Sequence, residues 1–170
     1  MSLLSTITKP VDRPVIATIT GDAGTGKTTL AATFPNPIFI RIEDGLQAVP
    51  EEIRPDAFPV ISKVEQLWEQ LEALIRDGHS YGSVAIDSIT QLETLFIEYV
   101  IANDNKKPKS INQANGGYGA GMAAVSALHG RVRKAAKVLN ERRGMHVIFI
   151  AHSDVSTIEL PDQDPYSRYE

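Results

Sequence analysis

Residues 14–34 read Pro14-Val15-Ile16-Ala17-Thr18-Ile19-Thr20-Gly21-Asp22-Ala23-Gly24-Thr25-Gly26-Lys27-Thr28-Thr29-Leu30-Ala31-Ala32-Thr33-Phe34, and this stretch decides the fold. A β-branched, apolar run up to Thr20 is a strand, and the run from Lys27 to about Thr33 is a helix. Between them Gly21 to Thr28 fits Gly-x-x-x-x-Gly-Lys-Thr, the Walker A pattern, in the strand–loop–helix setting that its mechanism requires. Glycines let the backbone curl so that successive N–H groups converge on phosphate oxygens, and the helix start faces the same anion. The pattern predicts a nucleoside triphosphate in contact with Gly21, Asp22, Ala23, Gly24, Thr25, Gly26, Lys27, Thr28 and Thr29. Lys27 is placed to reach the β- and γ-phosphates, and the Thr28 hydroxyl to ligate Mg²⁺.

Composition frames this reading without deciding it. A chain of 170 residues, 42% hydrophobic, is long enough for one α/β domain with its own core. Residues 1–13 read as a flexible lead and 14–170 as the domain. No apolar run is long enough to span a membrane. With no cysteine, disulfides and thiolate metal sites are excluded, which fits a reducing, cytoplasmic setting. Charge is uneven: residues 1–101 carry 7 Lys/Arg and 14 Asp/Glu (−7), residues 102–146 carry 9 and 2 (+7), and residues 147–170 carry 1 and 5 (−4). The internal basic block suggests a polyanion surface; a solvated helix face is the alternative.

Outward from the loop, Phe34-Pro35-Asn36-Pro37 stops the first helix, and Ile38–Ile42 is a buried strand ending at Glu43-Asp44-Gly45. Phe58–Ile61 reads as a short strand near the sheet edge. Ser62-Lys63-Val64-Glu65 is a capping-box pattern for a helix over 63–77, with Trp68 on its apolar stripe and so in the core. Ser83-Val84-Ala85-Ile86-Asp87-Ser88 is a strand ending in the Walker B carboxylate, which orients Mg²⁺. A helix follows to about Ala102, then an aperiodic loop over 103–121, then a long helix from Met122 to Arg143 capped by Gly144. His146–Ala151 is a further buried strand, ending at His152. Val155–Leu160 and Tyr166–Glu170 read as a hairpin around Pro161–Pro165 whose second strand is cut short. His79, His129 and His146 lack ligand-like spacing and read as structural or surface.

Glu43, Asp87 and His152 thus each follow a strand, and in an open parallel sheet the ligand crevice lies at those carboxyl ends. Their order along the chain resembles the RecA-type ATPase core. That resemblance implies a RecA-like P-loop NTPase fold, a mostly parallel sheet flanked by helices. It also implies Glu43 as the base that activates the attacking water and His152 as the γ-phosphate sensor, with Lys27 and Asp87 completing the catalytic and Mg²⁺ groups. Asp44 could share or take the role of Glu43, and His152 could be a structural hydrogen-bonding residue.

More closely, Thr33–Pro37, Ile86-Asp87-Ser88, Gly144–Ile148, Ile150-Ala151-His152 and Tyr166–Tyr169 are similar to a phage-type RecA-like nucleotide-binding family associated with single-strand DNA annealing and recombination. Members continue through further strands. The resemblance implies ATP and Mg²⁺ as cofactors, self-association, single-stranded DNA as partner, and the host cytoplasm as location. It puts a DNA loop at 103–121, where Lys106, Lys107 and Lys109 neutralise phosphates and Tyr118 stacks on a base. The second such loop, starting at Ser153, is acidic and offers only Arg168. An arginine finger is open among Arg131, Arg133, Arg142 and Arg143. Two other classes compete. One is a small-molecule or nucleotide kinase, against which the Arg-poor 103–121 loop argues; the other is a nucleotide-switched assembly protein with little turnover.

Overall fold

The structure, a computed structural model, describes residues 3–8, 12–153, 155–160 and 163–169, the last two stretches as backbone paths. Its frame is a five-stranded parallel sheet. The strands are β1 (Ile16–Gly21), β2 (Pro37–Arg41), β3 (Asp56–Ala57), β4 (Ser83–Asp87) and β5 (His146–His152), in the order β1-β5-β4-β2-β3. The helices are α1 (Lys27–Ala32), α2 (Val64–Arg76), α3 (Ile89–Ala102) and α4 (Ala120–Arg143). An α/β P-loop NTPase core is the expected fold, and it is the fold found.

Alternation along the strands sorts the core into two layers. Ile38 and Ile40 of β2, Val84 and Ile86 of β4, and Val147 of β5 point to the face covered by α2, α3 and α4. Phe39, Ala85, Ile148 and Ile150 point the other way, against Ala31 and Ala32 of α1 and the loop residues Leu46 and Val49. All five residues of β4 are buried, as befits a central parallel strand covered on both faces. Gly144 ends α4 in the left-handed conformation (φ 67°), a turn that glycine makes without a Cβ clash.

Several expectations shift. The edge strand lies at Asp56–Ala57, not Phe58–Ile61, because Pro59 has no N–H to continue a ladder; Phe58 and Ile61 still donate single bonds to Phe39 and Arg41 carbonyls. The start of α2 is capped one residue later than read: the Gln66 side chain, not Glu65, accepts from the Ser62 and Lys63 N–H groups. Residues 103–121 are not a structureless loop. They hold a 3₁₀ segment, Ile111–Gly116, and α4 begins at Ala120. The Asp104 carboxylate closes this segment by accepting from the backbone N–H groups of Lys106 (2.8 Å) and Asn115 (2.6 Å).

The hairpin exists as a separate antiparallel pair, β6 (Val155–Leu160) and β7 (Gln163–Tyr169), with its second strand starting three residues before Tyr166. Pro165 therefore lies inside β7, while Pro161, Asp162, Glu170 and the side chain of Arg168 fall outside the described residues, as does part of the 1–13 lead.

Trp68 is half-buried and packs on the core as read. Its ring stacks on Phe96 (centroids 6.1 Å apart), and Arg131 lies 4.1 Å over it. That contact, and the bond from Arg143 to the Asp77 carbonyl, engage two of the four arginines considered for a finger.

Candidate nucleotide and metal site

The parallel register gathers four strand ends at one side of the sheet. Gly21 pairs with His152, Arg41 with Asp87, and Asp87 with Ile150. Just past β2, the N–H groups of Ile42 and Glu43 both donate to the Asp87 carbonyl, at 2.8 and 3.4 Å. These bonds fix Glu43 beside Asp87 although the two are far apart in sequence.

The Walker A loop spans β1 and α1. Gly24 (φ 77°) and Gly26 (φ 84°) take left-handed backbone positions that a side chain would strain, and neither has a neighbour within 4 Å of an added Cβ. The loop is braced by Thr25, whose hydroxyl donates to the Asp22 carbonyl (2.8 Å), and by Ser153, whose hydroxyl donates to the Asp22 carboxylate (2.8 Å). Lys27 is buried, and its ammonium donates to the carbonyls of Gly21 and Asp22, both at 2.8 Å.

Below the loop, the Thr28 hydroxyl donates to Asp87 Oδ2 at 2.9 Å. Hydroxyl and carboxylate side by side form an oxygen donor pair suited to Mg²⁺. Gly45 leaves this corner open: a Cβ there would touch Asp87 Oδ2 at 3.6 Å and Thr28 Oγ1 at 3.9 Å. The donor set fits the ion.

Glu43 and His152 meet directly, with His152 Nε2 2.9 Å from Glu43 Oε1. Burial pushes the Glu43 carboxyl upward, but hydrogen bonds from Ser88 and His152 and the charges of His152 and Lys27 outweigh it and hold the group below the ordinary glutamate value. An ionised Glu43 only accepts, so the ring Nε2 carries the hydrogen. Asp87 moves the opposite way: burial raises it and the nearby Glu43 charge adds to that, while the Thr28 bond works against the rise. Asp44, the neighbour considered for the same role, is turned aside into an ion pair with Arg41 (2.8 Å) and a bond from Gln47 (3.2 Å).

The structure therefore brings Lys27, Thr28, Glu43, Asp87 and His152 together. Sequence reasoning missed the residues that hold them. Ser88 caps α3 by accepting from Gln91 N–H (3.3 Å) and also bonds Glu43. The Thr90 hydroxyl accepts from His152 N–H (2.9 Å), and Ser153 links β5 to the loop. Only Ser88 had a local signal, as the first polar residue before a helix.

Lys106, Lys107 and Lys109 are exposed, Tyr118 is fully exposed, and none of the four touches the cluster of Glu43, Asp87 and His152.

A family model described as an AAA domain matches residues 13–170. The chain belongs to the AAA domain family. A search of curated proteins gave no match. The family accounts for the nucleotide loop, and its members are generally ATPases that use ATP and Mg²⁺. Among the described residues of this AAA domain, no helix is long and apolar enough to cross a membrane.

Proposed function

We propose that residues 14–170 form one RecA-like ATPase domain that hydrolyses ATP and acts on single-stranded DNA, in the manner of the phage recombination family it resembles. The observation that carries the hydrolytic half is the contact of Glu43 with His152 beside the Thr28–Asp87 pair. In this reading the loop N–H groups from Gly21 to Thr29 bind the phosphates and Lys27 offers its ammonium to the β- and γ-oxygens. Thr28 and Asp87 hold Mg²⁺, which when bound neutralises phosphate charge. Glu43, kept ionised, accepts the proton of a water aimed at the γ-phosphorus. His152 holds the Glu43 carboxylate in place and would sense the γ-phosphate of a bound nucleotide.

The DNA half is supported by the exposed Lys106, Lys107, Lys109 and Tyr118 together with the family resemblance. Ordering by Asp104 gives those side chains a fixed base from which to project. Self-association belongs to the same reading, by resemblance alone.

The test is ATP turnover measured with and without single-stranded DNA. Stimulation by DNA is expected. Phosphoryl transfer to a small acceptor would establish a kinase instead, and nucleotide binding with no turnover would establish an assembly switch.

A further inference from the structure

We propose that Glu43, Asp87 and His152 form a binding site for a first-row transition-metal dication that fills without nucleotide. The three residues each offer one ligand atom, and these atoms all lie within 4.8 Å of one another; on metal binding the imidazole hydrogen that faces Glu43 in the empty site moves from Nε2 to Nδ1 and frees the Nε2 lone pair. Metal bonds of about 2.1 Å put adjacent donors of an octahedral ion about 3 Å apart and opposite donors about 4.2 Å apart. The 2.9 Å between His152 Nε2 and Glu43 Oε1 is already the adjacent-donor spacing, and the 4.8 Å spread exceeds the opposite-donor spacing by about 0.6 Å, a gap that side-chain rotation closes.

The frame is built before any ion arrives. Each ligand is tied to a neighbouring strand: Glu43 through its N–H to the Asp87 carbonyl, Asp87 at the end of the buried β4, and His152 opposite Gly21. Two ligands also have outer partners, Thr28 on Asp87 and Ser88 on Glu43, which orient carboxylates as supporting shells do in metal sites.

The imidazole decides the class of ion. Mg²⁺ favours oxygen donors in strict octahedral geometry and sheds its water reluctantly, whereas imidazole nitrogen suits transition metals. One histidine with two carboxylates therefore favours Mn²⁺ and the ions above it in the affinity order over Mg²⁺. This inference deepens the nucleotide-site reading. It rests on that reading only for the ion's place beside the phosphates, since metal binding is measured in nucleotide-free protein.

The experiment titrates Mn²⁺ alone into the chelator-treated, nucleotide-free chain and follows loss of the free-ion electron paramagnetic resonance signal. One ion per chain is expected, held at least about 10-fold more tightly than Mg²⁺ in competition. Pulsed measurements should show coupling of the bound Mn²⁺ to an imidazole nitrogen. His152→Gln should abolish that coupling, and both His152→Gln and Glu43→Gln should weaken Mn²⁺ by about 10-fold or more.

No stoichiometric Mn²⁺ binding, equal competition by Mg²⁺, or nitrogen coupling that survives His152→Gln overturns the proposal. Circular dichroism checks that each variant is folded; if His152→Gln is not, the wild-type nitrogen coupling and the Glu43→Gln affinity decide. ATP binding with Mg²⁺ is measured separately. Its loss with an intact Mn²⁺ site overturns only the nucleotide reading, and the reverse pattern overturns only the metal site.

Discussion

The Thr28 hydroxyl donates to Asp87 Oδ2 across 2.9 Å, joining the first turn of α1 to the end of β4. The two motifs read separately in the sequence meet in this one bond, beneath the loop that holds Lys27.

Lys27→Ala should abolish ATP binding, measured by calorimetry. This lysine is buried and bonded to the Gly21 and Asp22 carbonyls. The variant should therefore also lose stability, by about 1–3 kcal/mol for uncovered carbonyls in denaturant unfolding. Unchanged ATP affinity in a folded variant would refute the loop assignment.

Glu43→Gln should keep ATP bound and slow hydrolysis by about 10²-fold or more, the scale for losing a general base. Asp44→Asn should hydrolyse at close to the wild-type rate, because Asp44 faces Arg41. The reverse pattern in a phosphate-release assay would move the base by one residue.

Asp87→Asn tests the buried carboxylate through pH. Its folded-state pKa is raised by burial, so the folded chain binds the proton more tightly than the unfolded chain. Stability from this group is accordingly lost as pH rises from the unfolded value through the raised one, and Asp87 is a net cost above that window. Asparagine mimics the protonated form. The variant should be at least as stable as wild type at pH 7, with the gain vanishing toward pH 4, while Mg²⁺-dependent nucleotide binding falls. A gain that grows as pH falls would contradict the sign.

DNA binding separates two contributions. Replacing Lys106, Lys107 and Lys109 by alanine should flatten the slope of log affinity against log salt by about 0.7 per lost contact. Tyr118→Ala should lower affinity by about 1–3 kcal/mol with little change in slope. Wild-type behaviour in both, by fluorescence anisotropy, would leave this segment a bystander.

Gly121→Ala tests the order of that segment. An added Cβ would collide with the Ile111 carbonyl and crowd Ala114 at 3.0 Å, backbone and core that cannot easily move. A loss of about 1–3 kcal/mol is expected. An unchanged midpoint of unfolding would mean that the 3₁₀ segment does not pack on α4 in solution.

Glu43, Asp87 and His152 were legible because each follows an apolar run whose end the sequence marks, and parallel strands bring such ends together. What holds them was not. Ser153 bonds Asp22 and Thr90 bonds His152 only because β5 lies between β1 and β4, an order that no local pattern encodes. Residues 103–121 looked structureless for a related reason. Their order comes from the packing of Ile111 and Ala114 on the core and from one carboxylate, Asp104, reaching Asn115 eleven positions on, which leaves no period to detect.

The burial of all five residues of β4 bears on where this protein yields first. Amide hydrogens of Val84 to Ile86, bonded between β2 and β5, should be among the slowest to exchange with solvent. In contrast, among the described residues β1 pairs on one side only, and the loop after it is solvent-exposed over much of its length. Asp87 thus rides on the most protected part of the sheet and the phosphate loop hangs from one of the least. Adaptation to a ligand therefore falls to the loop, and its amides are where protection on nucleotide binding should increase most.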